Sequence, residues 1–200
     1  MIVGILGLHV DDCVCGGKGR RYQQARDLLK KRFPFRRWTL REGRFVGSFV
    51  KQNEDYSITI SQTQYADGLR PLKIPRGADL DAAIPLSLFS KLRGLHGALG
   101  WLAGQSRPDL SFGTSRSQQS FPSPTWHDIV KVNNTVRRAK QYRDLSIKVQ
   151  AIQPQDVVLI GHSDSSLLNM GEGKTQAGWV LGISSKALLD GREAPWAPLL

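Results

Sequence analysis

Two neighbouring carboxylates, Asp11 and Asp12, are the residues of this sequence best suited to chemistry. An apolar run, residues 2–10, leads into them, and Cys13-Val14-Cys15-Gly16-Gly17 follows. Adjacent carboxylates repel one another unless a cation sits between or beside them. A divalent ion such as Mg²⁺ is the economical partner, because it takes one or two carboxylates together with water and substrate phosphates. In phosphoryl transfer, two such ions activate the attacking oxygen and stabilise the leaving one. An Asp-Asp pair alone is most often a solvated turn; here an apolar strand on either side and a basic stretch just beyond add weight to it. Cys13 and Cys15 make no disulfide framework, which fits a reducing compartment, and they read as small strand residues rather than metal ligands.

The charge is distributed unevenly. The 200 residues carry 28 Lys and Arg against 17 Asp and Glu, a formal charge of +11. Residues 1–150 hold +13 of it, whereas residues 151–200 are at −2. The densest stretch, 18–44, has 11 basic residues against Asp27 and Glu42. Such a stripe attracts polyanions, with counterion release as the energetic source. The competing reading is a solvated helix face, and the interleaved Tyr22, Phe33, Phe35 and Trp38 either stack on bases or face the core. Hydrophobic residues at 40% place the chain outside the disordered class, and no apolar run reaches the length of a membrane span. The apolar start lacks a basic leader and a cleavage site, so no signal peptide is expected.

The elements that must position these residues are of both kinds, giving an α+β class. A buried strand over 2–10, a tight turn with Asp11-Asp12 at its tip, and a return strand over 13–15 form a hairpin. Apolar residues at Tyr22, Ala25, Leu28, Leu29 and Phe33 predict an amphipathic helix over 18–33 with a cationic face, ended by Pro34. Strands are predicted over 44–51 and 56–61, then a helix from a capping box at Ser61 and Gln64 that runs to Leu69. Residues 73–85, with Pro75, Gly77, Pro85 and few large apolar residues, read as a linker. Leu88, Leu92, Leu95, Leu99 and Leu102 line a helix whose Gly94, Gly97 and Gly100 admit a close neighbour. Helices are also expected over 109–120 and from Ser123-Pro124 to about Tyr142. Strands follow over 145–149, 157–162, 176–183 and 196–200.

At this point the motifs resemble a family. Leu8-His9-Val10-Asp11-Asp12 with Cys13-Val14-Cys15-Gly16 is similar to the metal-binding hairpin of reverse transcriptases. Arg44-Phe45-Val46-Gly47-Ser48, followed by Ile58-Thr59-Ile60-Ser61-Gln62-Thr63-Gln64-Tyr65, resembles a block of copia-type retrotransposon polymerases. So do Leu92-Arg93-Gly94-Leu95-His96-Gly97-Ala98-Leu99-Gly100-Trp101-Leu102 and Ser106-Arg107-Pro108-Asp109-Leu110-Ser111-Phe112. Pro124-Thr125-Trp126-His127 matches the next block loosely. Leu159-Ile160-Gly161-His162-Ser163-Asp164 and Lys174-Thr175-Gln176-Ala177-Gly178-Trp179-Val180 are similar to the opening strands of the ribonuclease H domain that follows the polymerase in these elements.

The resemblance implies a division into a C-terminal palm with a primer-contacting hairpin (1–72), a linker (73–86), a helical thumb and connection (87–143), and the beginning of a ribonuclease H-like domain (144–200). It implies Asp11 and Asp12 as catalytic ligands of Mg²⁺ or Mn²⁺ in the palm, and Asp164 as the first metal-binding carboxylate of the separate ribonuclease H site. Lys18, Arg20, Arg21, Lys30, Lys31, Arg36, Arg37, Arg107, Arg137 and Arg138 become candidates for contact with a primed RNA template or an RNA–DNA hybrid. Deoxynucleoside triphosphates would be substrates of the intact polymerase, and a second copy or other polyprotein segments its partners. A virus-like particle in the cytoplasm, or the nucleus, is the implied location. His9 stands where the family commonly has Tyr, and Ser165-Ser166-Leu167-Leu168 departs from its pattern. Glu172, Asp190 and Glu193 fall in no matching block and receive no role. The family's other catalytic carboxylates have no counterpart here, so the expectation is a polyprotein fragment inactive alone, with a non-catalytic nucleic-acid-binding remnant as the alternative. A protein-interaction module using the glycine-lined helix is a third reading.

Overall fold

The computed structural model describes residues 2–121, 123–166 and 175–199. They form an α+β arrangement of antiparallel sheets and five α-helices. Strands β1 (Gly4–His9) and β2 (Asp12–Gly17) make a two-residue hairpin in which His9 faces Asp12. The turn is thus Val10-Asp11, one residue earlier than the spacing suggests, and Asp12 already belongs to the strand. Helix α1 (Gly19–Arg32) follows, and its chain direction breaks at Phe33 and Pro34.

The strand predicted over 44–51 is two strands, β3 (Glu42–Phe45) and β4 (Ser48–Gln52), which fold back at Val46-Gly47. Both turn residues have positive φ, 48° and 74°, as the tightest hairpin turns require. Strand β5 (Ile58–Ser61) pairs with β4, and β6 (Ile147–Val149) pairs with β5 from nearly ninety residues away. The segment that begins at 144 therefore contributes its first strand to the sheet of the earlier one. A third sheet places β8 (Gln176–Ser185) between β7 (Val157–Ser166) and β9 (Trp196–Leu199).

The core lies among the helices. Helix α3 (Leu86–Gln105) buries Leu92, Leu95, Leu99 and Leu102. Helix α5 (Trp126–Gln141) answers with Ile129, Val132, Val136 and Ala139, with α4 (Ser111–Gln118) packed beside both. Helix α2 (Thr63–Gly68) adds Ala66. It starts at Gln62 with no side-chain cap, so the expected Ser61–Gln64 box does not form. The start of α5 is likewise shifted: Thr125 is its cap, and Asp128 accepts from the Thr125 backbone N–H at 3.0 Å. Open space faces Gly94 and Gly97, so no backbone approaches that side of α3 among the described residues.

Residues 73–85 carry no helix, yet they form a strap rather than a free linker. Leu72 donates to Asn133 Oδ1 at 2.9 Å and accepts from its Nδ2 at 2.8 Å, while Ile84 is buried in the helical core. A buried Asn with both ends of its amide engaged fixes the register of such a segment. By contrast, no residue from 2 to 47 is buried. The predicted buried strand over 2–10 is in fact open, with Ile5 at 74% and Leu8 at 65% exposure, because only one strand pairs with it. The apolar stripe of α1 is also uncovered: Leu28 is 66% and Phe33 52% exposed. Met1, Leu167, Leu168, Glu172, Lys174 and Leu200 lie outside the described residues.

His96 is the one histidine inside the core. Its ring packs edge-on to Phe121 at 5.6 Å, and neither ring nitrogen has a hydrogen-bond partner. Burial lowers its pKa below the ordinary 6.5, against a smaller upward pull from Asp128. The folded chain consequently binds fewer protons than the unfolded chain once pH falls under that value. Stability present above pH 6.5 is lost progressively as pH drops below it. Chemical denaturation at stepped pH should show a His96-dependent slope approaching about 1.4 kcal/mol per pH unit. His96→Leu should flatten the curve in that window, and an unchanged slope in the variant would refute this role.

Candidate functional site

The hairpin tip is built under constraint. Val10, a β-branched residue, adopts φ 54°, a conformation that costs energy and needs support from its surroundings. Asp11 points into solvent and is exposed. Asp12 is half-buried, and its Oδ2 accepts from the backbone N–H of Val46 at 2.8 Å. Val46 is itself β-branched at φ 48°, so a charge-assisted hydrogen bond holds down a strained turn. The indole of Trp101 on α3 lies 3.8 Å from where a Cβ on Gly47 would stand. The carboxylate hairpin, the β3–β4 turn and the helical core therefore meet at one junction.

On the opposite face of the hairpin, Tyr22 of α1 lies across both strands. A Cβ at Gly4 or at Gly17 would come within 2.5 Å of its ring, so the two glycines make the approach available. Its hydroxyl donates to Cys15 Sγ at 3.3 Å. That bond first, then burial, pushes the tyrosine pKa up to about 12. Cys13 and Cys15 are free thiols. Burial, then Cys15, raises the Cys13 thiol, which makes it a poorer metal ligand and nucleophile.

Asp164, expected in a different metal site from Asp11 and Asp12, stands in a different sheet from their hairpin. It sits in β7 opposite Gly178, exposed, and its Oδ1 accepts from the Ser165 N–H at 2.8 Å. Among the described residues no group of three or more His, Cys, Asp or Glu stands close enough to share a metal ion. Asp11 and the free oxygen of Asp12 could hold one hydrated divalent ion. They do not make a two-ion centre.

The cationic candidates divide into two groups. Lys18, Arg20, Arg21, Lys31, Arg36 and Arg37 are exposed, and their side chains have no hydrogen bond or ion pair to a described residue. Lys30 also reaches solvent and rests 4.4 Å above the Trp38 ring. Arg137 and Arg138 are exposed on α5; the first donates to Asn134 Oδ1 at 2.6 Å, the second to Asp109 Oδ2 at 3.4 Å. Arg107 belongs elsewhere. It is 2% exposed, forks onto Asp109 at 2.7 and 2.9 Å, and donates to the carbonyls of Ala139 and Tyr142. A guanidinium spent inside the protein offers nothing to a phosphate, so its expected nucleic-acid contact is replaced by a structural one. Asp109 keeps its carboxyl below the usual range: the Arg107 and Arg138 guanidinium groups outweigh burial, the largest single influence and one that acts upward. Sequence reading missed Val46 and Trp101 as members of the junction. A glycine at 47 between two strand-like runs was the available signal for the turn.

Comparison with protein-family models, curated proteins and solved structures returns no match.

Two expected outcomes follow from this geometry. Asp12→Ala should free the β3–β4 turn and speed hydrogen exchange at the Val46 amide by roughly tenfold, from a charge-assisted bond of about 1.5 kcal/mol. Asp12→Asn, which keeps an acceptor oxygen, should lose less, and equal protection in wild type and both variants would refute the latch. Asp109→Asn should destabilise the helical core by about 2–3 kcal/mol in urea unfolding, because it leaves the buried Arg107 charge uncompensated. A loss under 0.5 kcal/mol, the ordinary range for a surface substitution, would show that Arg107 does not depend on it.

Proposed function

We propose that this chain is a nucleic-acid-binding segment of a copia-type retrotransposon polymerase and ribonuclease H polyprotein. In this reading it grips primed RNA template or RNA–DNA hybrid through phosphate contacts and synthesises no DNA by itself. The observation that carries it is the set of exposed cations, without hydrogen bond or ion pair to a described residue, at Lys18, Arg20, Arg21, Lys31, Arg36 and Arg37 beside the Asp11-Asp12 hairpin. Exposed aromatic surface at Phe33 adds a stacking platform in the same stretch. Recognition is by backbone charge and shape, as suits an A-form-like hybrid, rather than by base edges.

Asp11 and Asp12 are the residues that would hold Mg²⁺ or Mn²⁺, which supplies charge neutralisation at a phosphate. Two-metal transfer needs more fixed carboxylates than the described residues assemble.

Fluorescence anisotropy with a labelled RNA–DNA hybrid tests the reading. Affinity should fall linearly in log–log salt titration, with a slope of about −0.7 to −0.9 per neutralised phosphate. Replacing Arg20, Arg21, Arg36 and Arg37 together with Gln should lower the magnitude of the slope by about 3. Primed template with Mg²⁺ and deoxynucleoside triphosphates should yield no extension. Salt-independent binding, absent binding or robust extension would each refute the proposal.

A further inference from the structure

A second cationic feature lies on the surface of the helical part of the chain, outside the residues that the sequence motifs single out. Helices α4 and α5 approach closely at Gly113, where an added Cβ would sit 2.9 Å from Thr135 Oγ1. Their outward-facing residues then diverge around an open groove of about 270 Å³, lined by Gly113, Arg116, Ser117, Lys131, Asn134 and Thr135.

The polar inventory of this groove is one-sided. Arg116 is exposed, and its guanidinium has no hydrogen bond or ion pair to a described residue. Lys131 uses one of its three donors on Asp128 Oδ1 at 3.0 Å. Asn134 accepts from Arg137 through Oδ1, which leaves its Nδ2 donors free. The floor hydroxyls are already committed as donors: Ser117 to the Thr114 carbonyl at 2.9 Å, Thr135 to the Lys131 carbonyl at 3.4 Å. Asp128, the carboxylate paired with Lys131, is engaged on both oxygens, by Lys131 and by Thr125. A planar fork, an ammonium and an amide thus line one groove whose lining includes no carboxylate. That donor set complements a tetrahedral oxyanion.

The geometry points to a phosphate-binding groove between α4 and α5, with Arg116 and Lys131 as its charged rims and a phosphodiester of a bound nucleic-acid strand as its occupant. This rests on the nucleic-acid reading above and adds a contact site on the helical part of the chain. Free phosphate or a nucleotide offers the same oxyanion chemistry, so the test separates the sources.

Backbone amide shifts of the full chain would be followed by NMR during titration with inorganic phosphate and, separately, with a short RNA–DNA hybrid. The hybrid should shift the amides of Gly113, Ser117, Asn134 and Thr135 at concentrations where inorganic phosphate alone does not. The double variant Arg116→Gln, Lys131→Gln should bind hybrid about tenfold more weakly and lower the magnitude of the salt slope by about 1.5. Both residues are exposed; unchanged circular dichroism and unfolding midpoint would show that the fold is intact. Hybrid binding with no change in the groove, or an unaffected double variant, overturns the groove while the wider reading stands. Shifts with inorganic phosphate but none with hybrid overturn the nucleic-acid occupant. No hybrid binding by the wild-type chain overturns both.

Discussion

The guanidinium of Arg107 is the group on which the helical half depends. It sits where α3 ends and the turn into α4 begins, yet it reaches the carbonyls of Ala139 and Tyr142 at the far end of α5. The last carbonyls of a helix have no partner within the helix, and a cation there satisfies them while favouring the negative end of the helix dipole. A buried charge is tolerable only if it is paired and hydrogen-bonded, and Asp109 supplies the pairing. The same carboxylate also draws in Arg138 from the outer face of α5. One short stretch after α3 therefore sets the position of α4 and the end of α5. The adjacent Ser106, donating to Gln62 Oε1 at 3.0 Å, extends the connection to the foot of β5 and α2.

What could be read from the sequence follows the range of the interaction responsible. The helical spacing of Leu92, Leu95, Leu99 and Leu102 reports a face that one helix presents on its own, and α3 has that face inward. The same logic fails for residues 2–10, where apolar composition shows what a strand could bury but says nothing of whether a covering layer exists. It fails again at Val46, whose side chain favours extended strand. Its turn is stabilised by Asp12 from 34 positions away, so local preference points the wrong way. Arg107 is indistinguishable from any other basic residue until its burial is seen, although Asp109 two positions on was a local hint of pairing. The α+β class was legible, whereas the site's composition was only partly so.

The hairpin that bears the two carboxylates is also the part of the chain with the least packing beneath it. Its attachments are Asp12 to Val46, Tyr22 across Gly4 and Gly17, and Phe45 against Gly7. Segments with few buried apolar contacts open at low free energy, so this lobe belongs at the low end of the molecule's local stability. The helical core, closed by buried leucines and by the Asn133–Leu72 amide pair, belongs at the high end.

That contrast bears on which activity the chain can sustain. Metal-assisted phosphoryl transfer requires ligands held within about half an ångström by rigid supports. Asp11 is exposed and Asp12 has one oxygen committed to a turn, both on the lobe with the weakest support. Binding a polyanion makes no such demand, because counterion release depends on charge density near the phosphates more than on exact side-chain placement. Exposed Lys and Arg side chains on flexible stems meet that looser condition even when the backbone beneath them moves. The proposed attachment to nucleic acid therefore asks less of this lobe than two-metal phosphoryl transfer would.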